Sequence, residues 1–309
     1  MSYAQFGLIE ATDFNTLVGG NPTATANTLN ATWATGSGSA GYGQTAVANV
    51  AVADTVAASS WNALVSNTAS AASHQGSSIT SVTAPVAGTV VTHNAAIPTN
   101  LQTIYTNRLN AATQSGTTAN TATRSTAWST AITFTHTVGF ANNDAARYFF
   151  NSGGQLKMTV SHANTSTPIN ILFNNLASNV GTVVLSAPSS GTANIAGTTY
   201  TGITKVGGGG NSPTISLNTG YYALTTSNAN VFTQTASTGP SGYLSSFIRF
   251  IVQSNGTPGN VITIFTVWDE VPDGLTVSSG SATTLTVVPP ETTNIANTWG
   301  TITLTGTVP

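Results

Sequence analysis

The sequence predicts a mainly β protein of the α+β class, with a small helical N-terminal region followed by an antiparallel β-sandwich or jelly-roll-like domain. Two observations predict it. Apolar residues recur at helical spacing in the first part of the chain, and from about Ser125 they alternate with polar residues in short runs. Because regular helices are missing between these runs, an α/β fold is not expected. We therefore predict a helical region over residues 1–125 and a sandwich domain over residues 126–309.

Helices in the N-terminal region are predicted from apolar side chains that share one helical face. The segments that begin near Asp13 and Ser60 both continue with an aromatic residue, a Leu and a Val at i, i+3 and i+4. The second should end at Gly76, and a further helical segment is expected from Thr23 to Trp33. Pro98 favours the first turn of another helix. The residues expected to pack or dock are Phe14, Leu17, Trp33, Trp61, Leu64, Ile104 and Tyr105.

Short strands are predicted over most of the remaining chain. The clearest is the alternation of Ile132, Phe134, His136 and Val138 with threonines. A hairpin is expected next, with strands over residues 147–150 and 155–160. A helical insertion is expected only over residues 169–176. The other predicted strands are 181–186, 192–195, 198–203, 213–217, 220–225, 244–253, 260–270, 275–279, 283–288 and 300–308.

Charged side chains make up only 5% of the chain, against about 25% in an ordinary soluble domain. Few groups are left for acid–base catalysis, and little charge keeps copies apart in solution, so a protein that works packed among other chains is favoured. The six Lys and Arg are scattered, which argues against a nucleic-acid partner. Cysteine is absent, and no disulfide or cofactor is expected. No apolar run approaches the about 18 residues of a membrane span, and the start lacks a secretory signal.

The densest acidic group lies in residues 268–274 and contains Asp269, Glu270 and Asp273. The favoured interpretation is an acidic hairpin loop in which Pro272, Asp273 and Gly274 supply turn chemistry. A Ca²⁺ site is the first alternative, because calcium takes several oxygen ligands from a loop. A glycosidase acid–base pair is the second, although consecutive residues of a strand point to opposite faces.

Histidine and arginine give weaker indications. Asp144 and Arg147 are expected to form a local pair where a strand begins, and the alternative is that Arg147 anchors an interface. His136 alternates with apolar residues and is expected to face a core or an interface. A structural role is favoured for all four histidines, because none shows metal-ligand spacing: His74, His93, His136 and His162.

Five short strings are distinctive: residues 12–15 continuing to Trp33, 36–38, 41–44, 146–154 and 268–274. These strings resemble the virion structural proteins of tailed bacteriophages, notably those of cyanobacteria and marine bacteria. The resemblance extends over most of the chain. The family has no established catalytic motif, so the resemblance assigns no catalytic residue.

The resemblance implies a component of the phage particle, made in the host cytoplasm and located in the virion. A non-enzymatic tail-fibre or baseplate-associated protein is expected, which acts by oligomerisation and docking, with a trimer as the first expectation. Other virion proteins and a host-surface glycan are the expected partners. A capsid decoration protein is the first alternative, and a glycan-degrading tailspike-like enzyme is the second.

Overall fold

Two antiparallel sheets with helices at the N-terminal end form the part of the chain that the computed structural model describes, which is residues 10–19, 27–51, 54–87 and 94–309. More residues lie in strands than in helices, and the sheets form a sandwich-like α+β fold. The predicted fold class is therefore confirmed.

The predicted N-terminal helices are present, and two of them end at a glycine, one of which is the expected Gly76. Gly19 and Gly76 follow their helices in the left-handed conformation, with φ of 106° and 66°. Part of the predicted segment from Thr23 to Trp33 lies outside the described residues. The helices are α1 (Ala11–Val18), α2 (Leu29–Thr32), α3 (Ala58–Gln75) and α4 (Ala96–Thr106).

The strands form a five-stranded sheet, a six-stranded sheet and a small hairpin. In spatial order, the first sheet consists of β1 (Thr118–Thr123), β12 (Ser281–Val288), β3 (Gln155–His162), β4 (Thr182–Leu185) and β7 (Ile203–Val206). The second sheet consists of β13 (Thr303–Thr307), β2 (Ala131–Gly139), β11 (Val261–Asp269), β10 (Phe247–Ser254), β9 (Ala229–Thr235) and β8 (Thr214–Ile215). The hairpin pairs β5 (Ala193–Ile195) with β6 (Thr198–Tyr200).

The core lies between the sheets and continues into the helical part. Strands β2 and β11 bury every second side chain, as period-two alternation requires. Helix α6 (Pro168–Val180) adds Phe173, whose ring contacts Trp128 and Trp268. One cluster of buried apolar side chains runs from Phe14 to Trp299. Strand β1 precedes residue 125, and the helical part and the sandwich share this cluster. The division into domains at residue 125 stays a prediction.

The hairpin predicted over residues 147–160 is wrong in its first half, which is helix α5 (Asn143–Asn151). The Asn142 side chain caps this helix by accepting a hydrogen bond of 2.9 Å from the Ala145 amide. Phe149 and Phe150 are buried on one helical face, and the Phe150 ring stacks on Tyr221 at 4.3 Å. The β preference of the aromatic run is therefore outweighed by a cap and by packing that the sequence does not display.

Two further predicted strands are also wrong, because their backbone amides bond elsewhere. Residues 220–225 contain a 3₁₀ turn, Tyr221–Ala223, closed by the Ala223 amide on the Gly220 carbonyl. In residues 275–279, the Leu275 and Ser278 amides donate to side-chain oxygens of Glu270 and Asn170. Strands β1, β7 and β9 were not predicted, apart from Ile203 at the start of β7, and β1 and β9 consist mostly of polar residues.

Candidate functional site

The residues predicted to pack or dock in the helical part lie mostly inside the chain. Six of the seven are buried, and the rings of Phe14 and Trp61 pack edge to face at 5.3 Å. Tyr105 is half-buried, with the Arg108 guanidinium over its ring at 4.7 Å. The buried six therefore pack within the chain and present no surface to a partner.

Arg147 holds a glycine-rich loop of its own chain. Its guanidinium donates to the backbone carbonyls of Thr35, Gly38 and Ala40, and it pairs with Asp144 at 2.7 Å. The Tyr222 hydroxyl donates to the Gly38 carbonyl at 2.7 Å. The predicted Asp144–Arg147 pair is thus present, on helix α5 and not at the start of a strand, and the donors of Arg147 are engaged within the chain.

The acidic residues 269–273 do not converge on one point. Glu270 is fully buried, and its carboxylate accepts hydrogen bonds from the Leu275 and Gly274 amides at 2.7 and 3.4 Å. Asp269 lies on the opposite side of its strand and is half-buried, while Asp273 is exposed. Burial, together with nearby Asp273, raises the pKa of Asp269, and Arg249 opposes that rise. Over the described part of the chain, no group of three or more acidic, His or Cys residues is placed to hold a metal ion.

His74 forms a buried polar link between the helices and the sandwich. Its Nδ1 lies 2.9 Å from the Glu291 carboxylate, and its Nε2 lies 3.1 Å from the Ser152 carbonyl. The hydrogen bond from His74 is the main cause that lowers the pKa of Glu291 to about 2, aided by Thr293 and Asn294. Both residues are buried, so this pair joins helix α3 to the C-terminal segment.

The other described histidines lie in the sandwich interior, and His93 is outside the described residues. His162 contacts the Ser281 hydroxyl and the Asn170 side-chain oxygen, at 3.0 and 3.2 Å. Within the described part of the chain, neither ring nitrogen of buried His136 has a hydrogen-bond partner of ordinary geometry, although the Asn120 backbone lies near. Burial lowers the pKa of both His136 and His162, and the Asn120 and Asn170 contacts oppose this more weakly. These histidines are therefore suited to the neutral form.

We expect the free energy of unfolding to decrease as the pH falls below about 6.5, the ordinary histidine pKa. The unfolded chain takes up protons before buried His136 and His162 do, so the stability present above this pH is lost on acidification. His136→Leu should reduce the slope of the free energy of unfolding against pH by up to about 1.4 kcal/mol per pH unit, the value for one proton. Urea unfolding between pH 8 and 5 measures this, and an unchanged slope in the variant would contradict it.

Two clefts in the helical part have uncharged walls. One, of about 240 Å³, lies between α3, α4 and residues 79–82. The other, of about 400 Å³, lies beside Trp33 between residues 44–48 and α3. Neither has a titratable side chain in its wall, so neither offers an acid, a base or a charged ligand group.

The feature that sequence reasoning missed is the outward side of the six-stranded sheet, here called the outer face. The register of the strands places these side chains together on it, and they are half-buried except for the exposed threonines of β13. It consists of Thr303, Thr305 and Thr307 from β13, Thr133, Thr135 and Thr137 from β2, Val261, Thr263, Phe265, Val267 and Asp269 from β11, Phe247, Arg249, Ile251 and Gln253 from β10, and Thr233 and Thr235 from β9.

The centre of the outer face is apolar and its border is threonine-rich. Phe265 lies directly opposite Ile251, and Val267 lies opposite Arg249. None of the apolar side chains on this face belongs to the core cluster or packs against it. An antiparallel sheet with one solvated face normally alternates apolar and polar residues, but β10 and β11 carry apolar residues on both sides. This double apolarity was the available sequence signal.

Arg249 is the only cation on the outer face. Its guanidinium lies 4.4 Å above the centre of the Phe247 ring, and its buried Nε has no hydrogen-bond partner among the described residues. No ion pair within 4.0 Å joins it to Asp269. The face therefore combines aromatic and aliphatic side chains with an unpaired arginine, a composition typical of protein interfaces.

Comparison with protein-family models, with curated proteins and with solved structures finds no match to this chain. Among the described helices, none has the length and apolar character needed to cross a bilayer.

Proposed function

We propose that this chain is a non-enzymatic structural component of a tailed phage virion, a tail-fibre or baseplate-associated protein that acts by homo-oligomerisation and docking. One observation supports this most strongly. Most of the buried side chains able to act as acid, base or ligand are engaged within the chain, His74 with Glu291, His162 with Asn170, and Glu270 with its own loop, while His136 is enclosed in the sandwich interior. What remains for interaction is an almost uncharged surface.

A capsid decoration protein is the alternative within this class, since the same neutral surface suits reinforcement of a shell. A tailspike-like hydrolase has less support. A glycosidase needs two carboxyl groups that flank one bond, roughly 5–10 Å apart. Glu270 is buried against its own backbone, and Asp269 lies on the other side of the strand.

Quantitative mass spectrometry of purified phage particles tests the proposal. We expect the chain to be present as a stoichiometric component, because a docked structural protein is retained through purification. A copy number from a few to dozens indicates a tail part, and hundreds indicate decoration. Absence from purified particles, combined with a freely diffusing monomer that turns over a glycan, would contradict the structural function.

A further inference from the structure

We infer that the outer face of the six-stranded sheet is the contact surface between two copies of this chain, packed face to face about a two-fold axis. The inference deepens the proposed function, on which it rests for the need to assemble, by naming the surface that assembles. It is argued from the composition of the face, from its charges and from its size.

The composition of the outer face indicates that another protein surface packs against it. Phe247, Ile251, Val261, Phe265 and Val267 are grouped on one side of two adjacent strands, outside the core of the chain. Contiguous apolar patches on a protein surface mark interaction sites, whereas single apolar residues do not. The threonines of β2, β9 and β13 border the patch with neutral hydrogen-bonding groups, as a polar rim borders the apolar centre of an interface.

The charges on the outer face favour a second copy as the occupant. Each copy presents one cation, Arg249, and one anion of this face, Asp269, on neighbouring strands. A two-fold axis that lies between the two sheets, parallel to them and midway between these two positions, exchanges the positions, so Arg249 of each copy can meet Asp269 of the other. The same sheet therefore carries both halves of a complementary pair. A net charge of −2 also leaves little repulsion between copies.

The size of the outer face is adequate for a stable pair. Five adjacent strands at about 4.8 Å spacing, each with about eight residues at about 3.4 Å rise, span roughly 24 by 27 Å. This is about 650 Å² of projected area per copy, close to the roughly 800 Å² per partner of a standard interface. Two sheets can stack in this way at a spacing of about 10 Å.

Sedimentation equilibrium of the isolated full-length chain at about 50 µM tests the inference. We expect a dimer in the wild type, in place of the trimer that was the first expectation from the resemblance. Phe265→Lys should be monomeric, because it places a charge in the apolar centre of the outer face. Its melting temperature at low concentration should equal that of the wild type. Ile171→Lys is the matched control: Ile171 is an exposed apolar residue of α6, away from the outer face, and this variant should stay dimeric.

A charge exchange makes the test specific for the two-fold arrangement. Arg249→Asp should weaken the dimer at least about tenfold by opposing like charges across the interface. The double variant Arg249→Asp with Asp269→Arg should restore the affinity to within about threefold of wild type. A monomeric wild type, a trimer, or a dimer insensitive to Phe265→Lys would overturn the inference. None of these results would bear on whether the chain is present in particles, so the two proposals fail separately.

Discussion

Glu291→Leu is expected to lower the free energy of unfolding by about 3–5 kcal/mol, because a buried ring nitrogen and two backbone amides lose their acceptor, and each buried donor left unsatisfied costs about 1–3 kcal/mol. His74 is fully buried, and its Nδ1 has Glu291 as its partner at 2.9 Å. The Thr293 and Asn294 amides also lose their acceptor in this variant. Urea unfolding at pH 7 measures the loss.

A double-mutant cycle separates the pair from its surroundings. His74→Leu combined with Glu291→Leu should recover much of the loss, since two apolar side chains of similar volume can replace a buried pair at little cost. Asp144→Ala removes the other described ion pair, and its exposed position predicts a change within about 1 kcal/mol. If Asp144→Ala and Glu291→Leu lowered the free energy of unfolding equally, the conclusion that burial makes the His74–Glu291 pair important would be contradicted.

The same pair determines part of the acid sensitivity. The pKa of Glu291 is lowered from 4.5 to about 2, so its contribution is complete above about pH 4.5 and is lost as the pH falls toward 2. This pH range lies below the range in which His136 and His162 are expected to lower the stability. Because the chain has only eight Asp and Glu, few other groups share the acid transition.

The sequence allowed prediction of the features that depend on local spacing. Helix α3 and its end at Gly76, the alternation in β2, and helix α6 all follow from residues within one element. Helix α5 could not be predicted in the same way, although Asn142 followed by Ala145, Ala146, Phe149 and Phe150 has a capped helical pattern. Its aromatic residues favour a strand locally, and the Asn142 cap together with packing such as that of Phe150 on Tyr221 selects the helix.

The candidate sites depended on contacts that spacing does not display. His74 and Glu291 are 217 positions apart, so nothing local pairs them. Arg147 could be recognised as an unusual charge, but its carbonyl partners lie more than a hundred residues away in the glycine-rich loop. The outer face needed the register of five strands, because an apolar residue on the second side of β10 or β11 looks like additional core until the neighbours are known.

Trp268→Ala is expected to lower the free energy of unfolding by about 3–5 kcal/mol, because it leaves a large cavity in the centre of the sandwich. Trp268 is fully buried, and its ring lies 6.0 Å from that of Phe173 and 6.1 Å from that of Phe134. These contacts join β11 to helix α6 and to β2, so the variant loosens three elements together. The midpoint of urea unfolding should shift strongly while the far-ultraviolet spectrum of the folded state is kept.

Trp268→Phe provides the sharper comparison. The indole Nε1 is buried, and none of the described residues offers it a hydrogen-bond acceptor, so phenylalanine removes an unsatisfied donor while it fills most of the space. We expect its cost to be less than half that of alanine, and Leu217→Ala at an exposed position to change stability by at most about 0.5 kcal/mol. A Phe variant as unstable as the Ala variant would show that the indole N–H has a partner, and would contradict the view that Trp268 acts by volume alone.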